Sequence, residues 1–226
     1  MSEINSPVAA LQSIRRIAGM RILDIGCGTG ALARQLIAAG ADVTGIDPEA
    51  SAIHAAANAA PEGRFLIGVA EALPLDDMSV NVAMMVNSLH HVPMESMRLA
   101  IHEAVRVLAD DGVLLIAEPL TKGTFFEALL PIEDETIVRL AAQAVITEEL
   151  AAGGIRLIES LTYSRAESFD TVEQFFDRVV AVDPARQRTI EGNRADITAA
   201  VLKAARKETG RLILDQPIKI DMIRRA

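Results

Sequence analysis

The stretch Arg21-Ile-Leu-Asp-Ile-Gly-Cys-Gly-Thr-Gly-Ala31 decides how this chain folds. Ile22, Leu23 and Ile25 form a short apolar run, as a parallel strand buried on both faces requires. Gly26, Gly28 and Gly30 then take every second position, and helix-forming residues continue from Ala31 to Ala39. A strand that turns through glycines into a helix carries no side chains on the outside of the turn. A ligand can therefore lie directly on backbone N–H groups at the positive end of the helix. The outline is that of a nucleotide site.

Two readings of the turn compete. As G-x-G-x-x-G/A, with Ala31 in the third place and Asp47 as the acid about 20 residues on, it fits a dinucleotide fingerprint. As D-x-G-x-G-x-G it also includes Asp24, two residues before the first glycine. A carboxylate inside a buried strand is costly unless something hydrogen-bonds it, and a cationic ligand amine would supply that partner. Further blocks follow in order: Gly45-Ile-Asp47, Ala70-Glu-Ala-Leu-Pro74, Asn87-Ser-Leu-His-His91 and Val107-Leu-Ala-Asp-Asp-Gly-Val-Leu-Leu115. With these blocks the chain resembles the class I S-adenosylmethionine-dependent methyltransferases, over about residues 20–118. It is most similar to their small-molecule, ubiquinone- and menaquinone-type (type 11) branch.

Composition sets outer bounds. The 226 residues suit one large domain, or one domain with an insertion, and half of them are hydrophobic, enough for a sizeable core. Cys27 is the single cysteine, which rules out an intrachain disulfide and a Cys-rich zinc site and points to a reducing compartment. No leader opens the sequence and no apolar run reaches the ~18 residues of a membrane span. A soluble, cytoplasmic protein without a membrane partner is expected. The net charge of −9 argues against nucleic acid as a partner. The basic cluster Lys203–Lys207 with Arg211 holds no aromatic residue for base stacking and reads as a solvated helix end. Tryptophan is absent and Tyr163 is the only tyrosine, so stacking surfaces for a flat acceptor are few.

Periodicity and punctuation predict alternating elements. Ser6-Pro7 opens a helix over 8–17 that Gly19 stops. Strands are expected at 20–25, 42–46, 64–69, 80–86 and 113–117, the last after an Asp110-Asp111-Gly112 turn. Helices are expected at 29–39, 48–59 and 93–108. Beyond Pro119 the sequence predicts helices at 124–130 and 131–152, then a strand at 155–164. Thr171-x-x-Gln174 is a capping box for a helix through Val182, and Asp183-Pro184 starts another reaching Glu208. The alternation of Leu212–Met222 reads as an edge strand with one wet face.

The expected fold is α/β: a doubly wound, mostly parallel seven-stranded sheet in one domain, 1–226. It comprises an N-terminal helix (1–19), a cofactor half (20–118) and an acceptor half (119–226). The resemblance implies that the last two strands close the sheet, the final one antiparallel, with a helical insertion at about 170–209. It implies no separate domain.

Ligands of such sheets sit beyond the carboxyl ends of the strands, where the glycine turn, Asp47, Val69–Glu71, Asn87–His91 and Glu118 fall. The resemblance implies S-adenosyl-L-methionine as cofactor, released as S-adenosyl-L-homocysteine. Gly26, Cys27, Gly28 and Gly30 would face its methionine end, with Asp24 near the amino group and Cys27 a small filler. Asp47 would accept both ribose hydroxyls, although Asp47-Pro48-Glu49 also reads as a helix cap. Ala70, Glu71 and Leu73 would frame the adenine; many relatives carry an Asp where this chain has Val69. Asn87, Ser88, His90 and His91 would stand beside the transferring methyl, with either histidine a proton acceptor or merely packed against the cofactor. Glu118 is a second acid–base candidate. Thr121, Lys122 and the Phe125–Phe126 and Phe175–Phe176 pairs are candidates for the acceptor cavity, with plain core as the simpler reading of the phenylalanines.

The expected partner is a small-molecule acceptor, methylated at O, N or C. Oligomeric state stays open, a homodimer being compatible with the sequence. Asn87-Ser-Leu-His is not the Asn/Asp-Pro-Pro-aromatic pattern of nucleic-acid amino-methylation, and no Pro-Cys nucleophile exists for cytosine C5. No metal-ligand constellation is present. A nicotinamide oxidoreductase is opposed by Asp24 and Gly30 and by the lack of a Tyr-x-x-x-Lys pair at Tyr163. A protein that binds the cofactor without transferring from it is the other alternative, with Val69 as its one hint.

Overall fold

In the computed structural model, which describes residues 4–226, Ile22, Leu23 and Ile25 are each at most 1% exposed. They belong to β1 (Arg21–Ile25), the interior strand that the apolar run predicts. It pairs in parallel with β2 (Asp42–Asp47) on one side and with β4 (Val80–Val86) on the other. β3 (Arg64–Ile67) extends the sheet beyond β2, and β5 (Leu108–Pro119) extends it beyond β4, both in parallel. With β6 (Ile155–Phe169), β7 (Arg206–Glu208) and β8 (Arg211–Arg225), the order is β3-β2-β1-β4-β5-β8-β6, and β7 pairs antiparallel with β8. Seven strands thus lie on one path, mostly parallel, with a three-residue eighth beside β8. The chain leaves β1 toward β2 and returns to β4 on its other side. The carboxyl ends of β1 and β4 therefore form the switch point at which such sheets open a crevice.

Helices alternate with the strands. α1 (Pro7–Ile14) starts where the sequence predicts, with the Ser6 hydroxyl accepting from the Ala9 amide at 3.1 Å. α2 (Ala31–Ala38), α3 (Ala50–Ala59) and α4 (Met97–Arg106) follow strands one, two and four, and a short 3₁₀ turn over Met94–Ser96 replaces the first turn expected of α4. α5 (Thr124–Leu129), α6 (Thr136–Ala152), α7 (Val172–Val180), α8 (Arg186–Gly192) and α9 (Arg194–Ala204) complete the chain. The Thr171 hydroxyl accepts from the Gln174 amide, as the capping box predicts, while the Gln174 side chain accepts at 2.7 Å from the amide of Asp170, one residue before the N-cap. The single helix expected from Asp183 to Glu208 is instead α8 and α9 followed by β7; Gly192-Asn193 breaks it, with Asn193 at both the end of one helix and the start of the next.

Two strand expectations are corrected. Strand five begins at Leu108 rather than Val113. Val80 pairs with Leu108 and Val82 with Val113, so Ala109–Gly112 are an irregularity opposite Asn81 instead of a turn before the strand. Asp-Asp-Gly has turn chemistry, which a bulge absorbs as readily as a loop. β8 is an interior strand, flanked by β5 and β6, and the edge is the longer β6. Alternation reports how the two faces of a strand differ and carries no information on how many neighbours it has.

The chain divides into two compact units. The first comprises residues through Glu118 with Ala141–Thr162 and Lys219–Ala226. Its core brings Leu23, Ile25, Met85, Leu114 and Ile116 of the strands against Met97, Ile101 and Ala104 of α4 and Val145 and Ile146 of α6. The second comprises Pro119–Leu140 and Tyr163–Ile218. There Phe175 is fully buried between Phe125 and Phe169, with ring centroids 5.5 and 5.7 Å away in edge-on contacts. Phe125, Phe175 and Phe176 belong to this core, and Phe126 is buried beneath the Arg139 guanidinium, 4.9 Å from its ring centre.

The second unit also holds a buried ionic group. Glu135 accepts from Arg139 at 2.6 Å and from Arg186 at 2.5 Å, and all three side chains are about 5% exposed. Arg139 further donates to the Leu120 carbonyl and to Gln216, while Arg186 donates to the Val179 carbonyl and to Glu133. Gln216 in turn donates to the carbonyls of Leu120, Lys122 and Pro217. The group thereby fixes the path of Leu120–Gly123.

Candidate functional site

Gly26, Gly28 and Gly30 all have positive φ, at 74°, 50° and 80°, so the glycine turn needs its glycines for conformation. The turn uses its own amides to hold this shape. Gly26 and Cys27 donate to the Ile46 carbonyl at 2.8 and 3.0 Å, Gly28 donates to Asp47 Oδ2 at 2.9 Å, and Gly30 donates to the Cys27 carbonyl. What the turn offers outward is therefore room more than these amides. A Cβ on Gly28 would meet nothing within 4 Å, whereas one on Gly26 would lie 2.5 Å from Ser88 Cβ. Gly26→Ala combines that overlap with an unfavourable φ and is expected to destabilise the protein by about 2–4 kcal/mol; chemical denaturation checks it, against Gly28→Ala as the sterically open control.

Asp24 lies below the turn, 2% exposed, and its Oδ2 has no hydrogen-bond partner among the described residues. Burial, and then the charge of Asp47, push its pKa up to about 7. Cys27 is 7% exposed, and burial with the nearby carboxylates pushes its thiol up to about 12, away from the reactive thiolate form. Its sulfur would be 2.8 Å from a Cβ on Gly45, which explains the glycine there.

Asp47 ends β2 with both oxygens engaged: Oδ2 accepts from Gly28 and Oδ1 from the Glu49 amide at 3.0 Å. The helix-cap reading is met in part, since the carboxylate serves the start of α3 while Glu49 takes the N-cap position. Each oxygen retains one lone pair for a further donor. Pro48 is exposed beside it. The neighbouring strand end carries Ile67 and Val69, 61% and 40% exposed, and the half-buried Ala70 and Glu71 sit in the turn between Val69 and Ala72. Sequence reasoning missed what holds this loop. Glu103 on α4 accepts from the Leu73 amide at 2.9 Å, and Arg106 donates to the carbonyls of Leu73 and Leu75. Arg106 also holds the Glu103 carboxyl below its ordinary range. The readable signal was an oppositely charged pair three residues apart on an otherwise amphipathic helix.

The tip of β4 is fastened from two sides. Asn87 takes a left-handed conformation, φ 53°, and its amide donates to the Ala117 carbonyl. The Ser88 hydroxyl donates to the Ile25 carbonyl at 2.7 Å, tying β4 to the start of the glycine turn. Glu118, 1% exposed at the end of β5, accepts from the amides of Ser88 and Leu89 at 3.1 and 2.9 Å through Oε1. Its Oε2 meets Nδ1 of His90, which is 5% exposed; His91 is exposed, with its ring centre 4.1 Å from that of His90. The residues singled out from sequence between Asp24 and Glu118 thus lie at the carboxyl ends of β1, β2, β4 and β5 and in the loop after β3. Thr121, Lys122 and the phenylalanine pairs belong to the second unit. Among the described residues no group of three or more His, Cys, Asp or Glu is placed to hold a metal ion.

Residues 22–112 match the family described as methyltransferase domain. An uncharacterized methyltransferase of Mycobacterium tuberculosis (strain ATCC 25618 / H37Rv) is 36% identical over 108 residues, 48% of this chain and 43% of that protein. Another, from Bacillus pumilus, is 28% identical over 167 residues, 74% of this chain and 71% of that protein. The chain thus spans less than half the length of the first of these relatives. In fold, the YcgJ protein of Bacillus subtilis is similar over 97% of this chain and 98% of its own, with a TM-score of 0.63 at 21% identity. The matched residues span β1–β4, α2–α4 and the start of β5.

Proposed function

We propose that this protein transfers a methyl group from S-adenosylmethionine to a small-molecule acceptor. The observation that carries the proposal is Asp24: a carboxylate oxygen without a partner among the described residues, 2% exposed, two residues before a turn that is open at Gly28. A buried carboxylate oxygen is matched by a cationic amine, and the amino-acid end of this cofactor carries one. A pyrophosphate, the corresponding group of a nicotinamide dinucleotide, would bring negative charge toward Asp24 and Asp47. The residues present therefore fit the sulfonium nucleoside. Asp24 and the turn Gly26–Gly30 would hold its methionine end, Asp47 with Pro48 its ribose, Ala70 and Glu71 its adenine, and Asn87 would border the methyl.

The bound cofactor supplies a methyl group already activated by positive sulfur. The chain's own task is then to align the acceptor and to exclude water, effects worth roughly 7–11 kcal/mol. His90 or His91 would take a proton from the acceptor, or pack against the cofactor edge. The few aromatic residues favour a small, apolar or weakly polar acceptor over a nucleic acid.

Titration calorimetry with S-adenosylhomocysteine and with NAD tests the cofactor: binding of the first alone is expected, and tight binding of NAD alone overturns the reading. Labelled S-adenosylmethionine given with a metabolite pool should label a product. Repeated failure with the cofactor bound favours the alternative, a binding protein, to which Val69 points. Asp47→Ala is expected to weaken S-adenosylhomocysteine binding by about 1.5–3 kcal/mol through lost charge-assisted hydrogen bonds. An unchanged dissociation constant in the folded variant reassigns Asp47 to holding Gly28 and the start of α3.

A further inference from the structure

We infer that Glu118 is a positioning residue that fixes His90 as the Nδ1–H tautomer, leaving Nε2 as the proton acceptor for a protic O–H or N–H nucleophile. The inference deepens the proposed methyl transfer and rests on it. It starts from the count of donors around one carboxylate. Glu118 Oε1 accepts two backbone amides, from Ser88 and Leu89, and Oε2 meets His90 Nδ1. An ionised carboxylate can only accept, so a neutral His90 must carry its proton on Nδ1 and its lone pair on Nε2. Because Glu118 is 1% exposed and His90 5% exposed, water does not compete for either contact.

The same carboxylate shapes the loop on which the histidine stands. Ser88 and Leu89 immediately precede His90, so the two amides that Glu118 holds fix the backbone leading into the imidazole. Ser88 is tied in turn to Ile25 at the start of the glycine turn. Glu118 therefore sets the tautomer and the placement of His90 together, and it does not itself reach a ligand. The acid–base role open to it in sequence gives way to one exerted through the histidine.

In the proton step, the acceptor's O–H or N–H bond breaks and its proton forms an N–H bond at His90 Nε2. The electron pair stays on the acceptor atom and becomes the nucleophile's pair. The imidazolium so formed carries its charge against the Glu118 carboxylate. A carbon acceptor would need no such arrangement at an already nucleophilic position, so the dyad points to a hydroxyl or amine.

Glu118→Gln separates positioning from simple loop support. Its amide oxygen can still accept from Ser88 and Leu89, but its NH₂ faces His90 Nδ1 and demands the opposite tautomer, with the proton on Nε2. Histidine ¹⁵N shifts report the tautomer without turnover, and His90→Phe assigns the resonance among the four histidines. The wild type bound to S-adenosylhomocysteine should show Nδ1–H at His90, and Glu118→Gln should show Nε2–H with cofactor affinity within about threefold. Turnover of the product-forming acceptor should fall about 100-fold or more in kcat, with KM for S-adenosylmethionine unchanged. An Nε2–H tautomer in the wild type, an unaltered tautomer in the variant, or a variant as active as the wild type overturns the inference. Failure of the wild type to bind S-adenosylhomocysteine overturns the cofactor reading instead, and the tautomer of the ligand-free protein then still decides what Glu118 does.

Discussion

Asp24→Asn is expected to make the ligand-free protein more stable at pH 7–8 while weakening S-adenosylhomocysteine binding roughly 10- to 100-fold. The buried carboxyl titrates near 7 instead of its ordinary 3.8. Below 3.8 the group is neutral in both folded and unfolded chains and carries no penalty. As pH rises, the unfolded carboxyl ionises while the buried one resists, so stability is lost progressively up to about 7 and stays lost above it. The shift corresponds to roughly 4 kcal/mol, and burying an amide in its place costs about 1–3 kcal/mol, leaving a net gain of roughly 1–3 kcal/mol. Denaturant unfolding from pH 4 to 8 checks this: the wild type should weaken across the range more than the variant. Binding has the opposite sign. A ligand ammonium needs the carboxylate form, so wild-type affinity should rise with pH toward about 7, with net proton release detectable by calorimetry in buffers of different ionisation enthalpy. Equal stability and equal affinity in the variant would remove Asp24 from the site.

The second large effect belongs to the other unit. Glu135→Ala is expected to destabilise the protein by about 3–5 kcal/mol, because it leaves the buried Arg139 guanidinium without its anion and Arg186 with only the partly exposed Glu133. The triple replacement of Glu135, Arg139 and Arg186 by Leu, Met and Met removes all three charges and should recover much of that loss. If the single variant unfolds at the wild-type denaturant concentration, the ionic group contributes nothing net. If the triple variant is no better than the single one, the hydrogen bonds to Leu120, Val179 and Gln216 matter more than the charges.

The contrast between these residues explains what was legible in the sequence. The first four strands and the core of the fifth could be read because they are short runs rich in apolar residues with turn residues after them, and their alternation with helices dictates a parallel sheet. Gly26, Gly28 and Gly30 were legible for the same reason, since positive φ and close approach leave few other choices. The partners of Asp47 were half legible: a cap toward Glu49 can be read locally, but its bond to Gly28 joins residues 19 apart in sequence. Glu118 and Ser88 were named without their tasks, because a buried carboxylate reads from sequence like any strand-end acid. Past Pro119 the periodicity fades. Gly192-Asn193 splits one apparent helix, and the buried group of Glu135, Arg139 and Arg186 joins residues up to 51 apart in sequence, which no local pattern announces.

β8 follows almost everything else in sequence yet lies between β5 and β6. During synthesis β6 leaves the ribosome roughly 3–11 s before the last residue of its only neighbour. Through that interval both β5 and β6 present unpaired strand edges, the surfaces most prone to pair with another nascent copy. The segment 211–226 thus acts as a late keystone, and a chain truncated just before Arg211 should be insoluble even though the whole glycine turn and every strand around it had already been made.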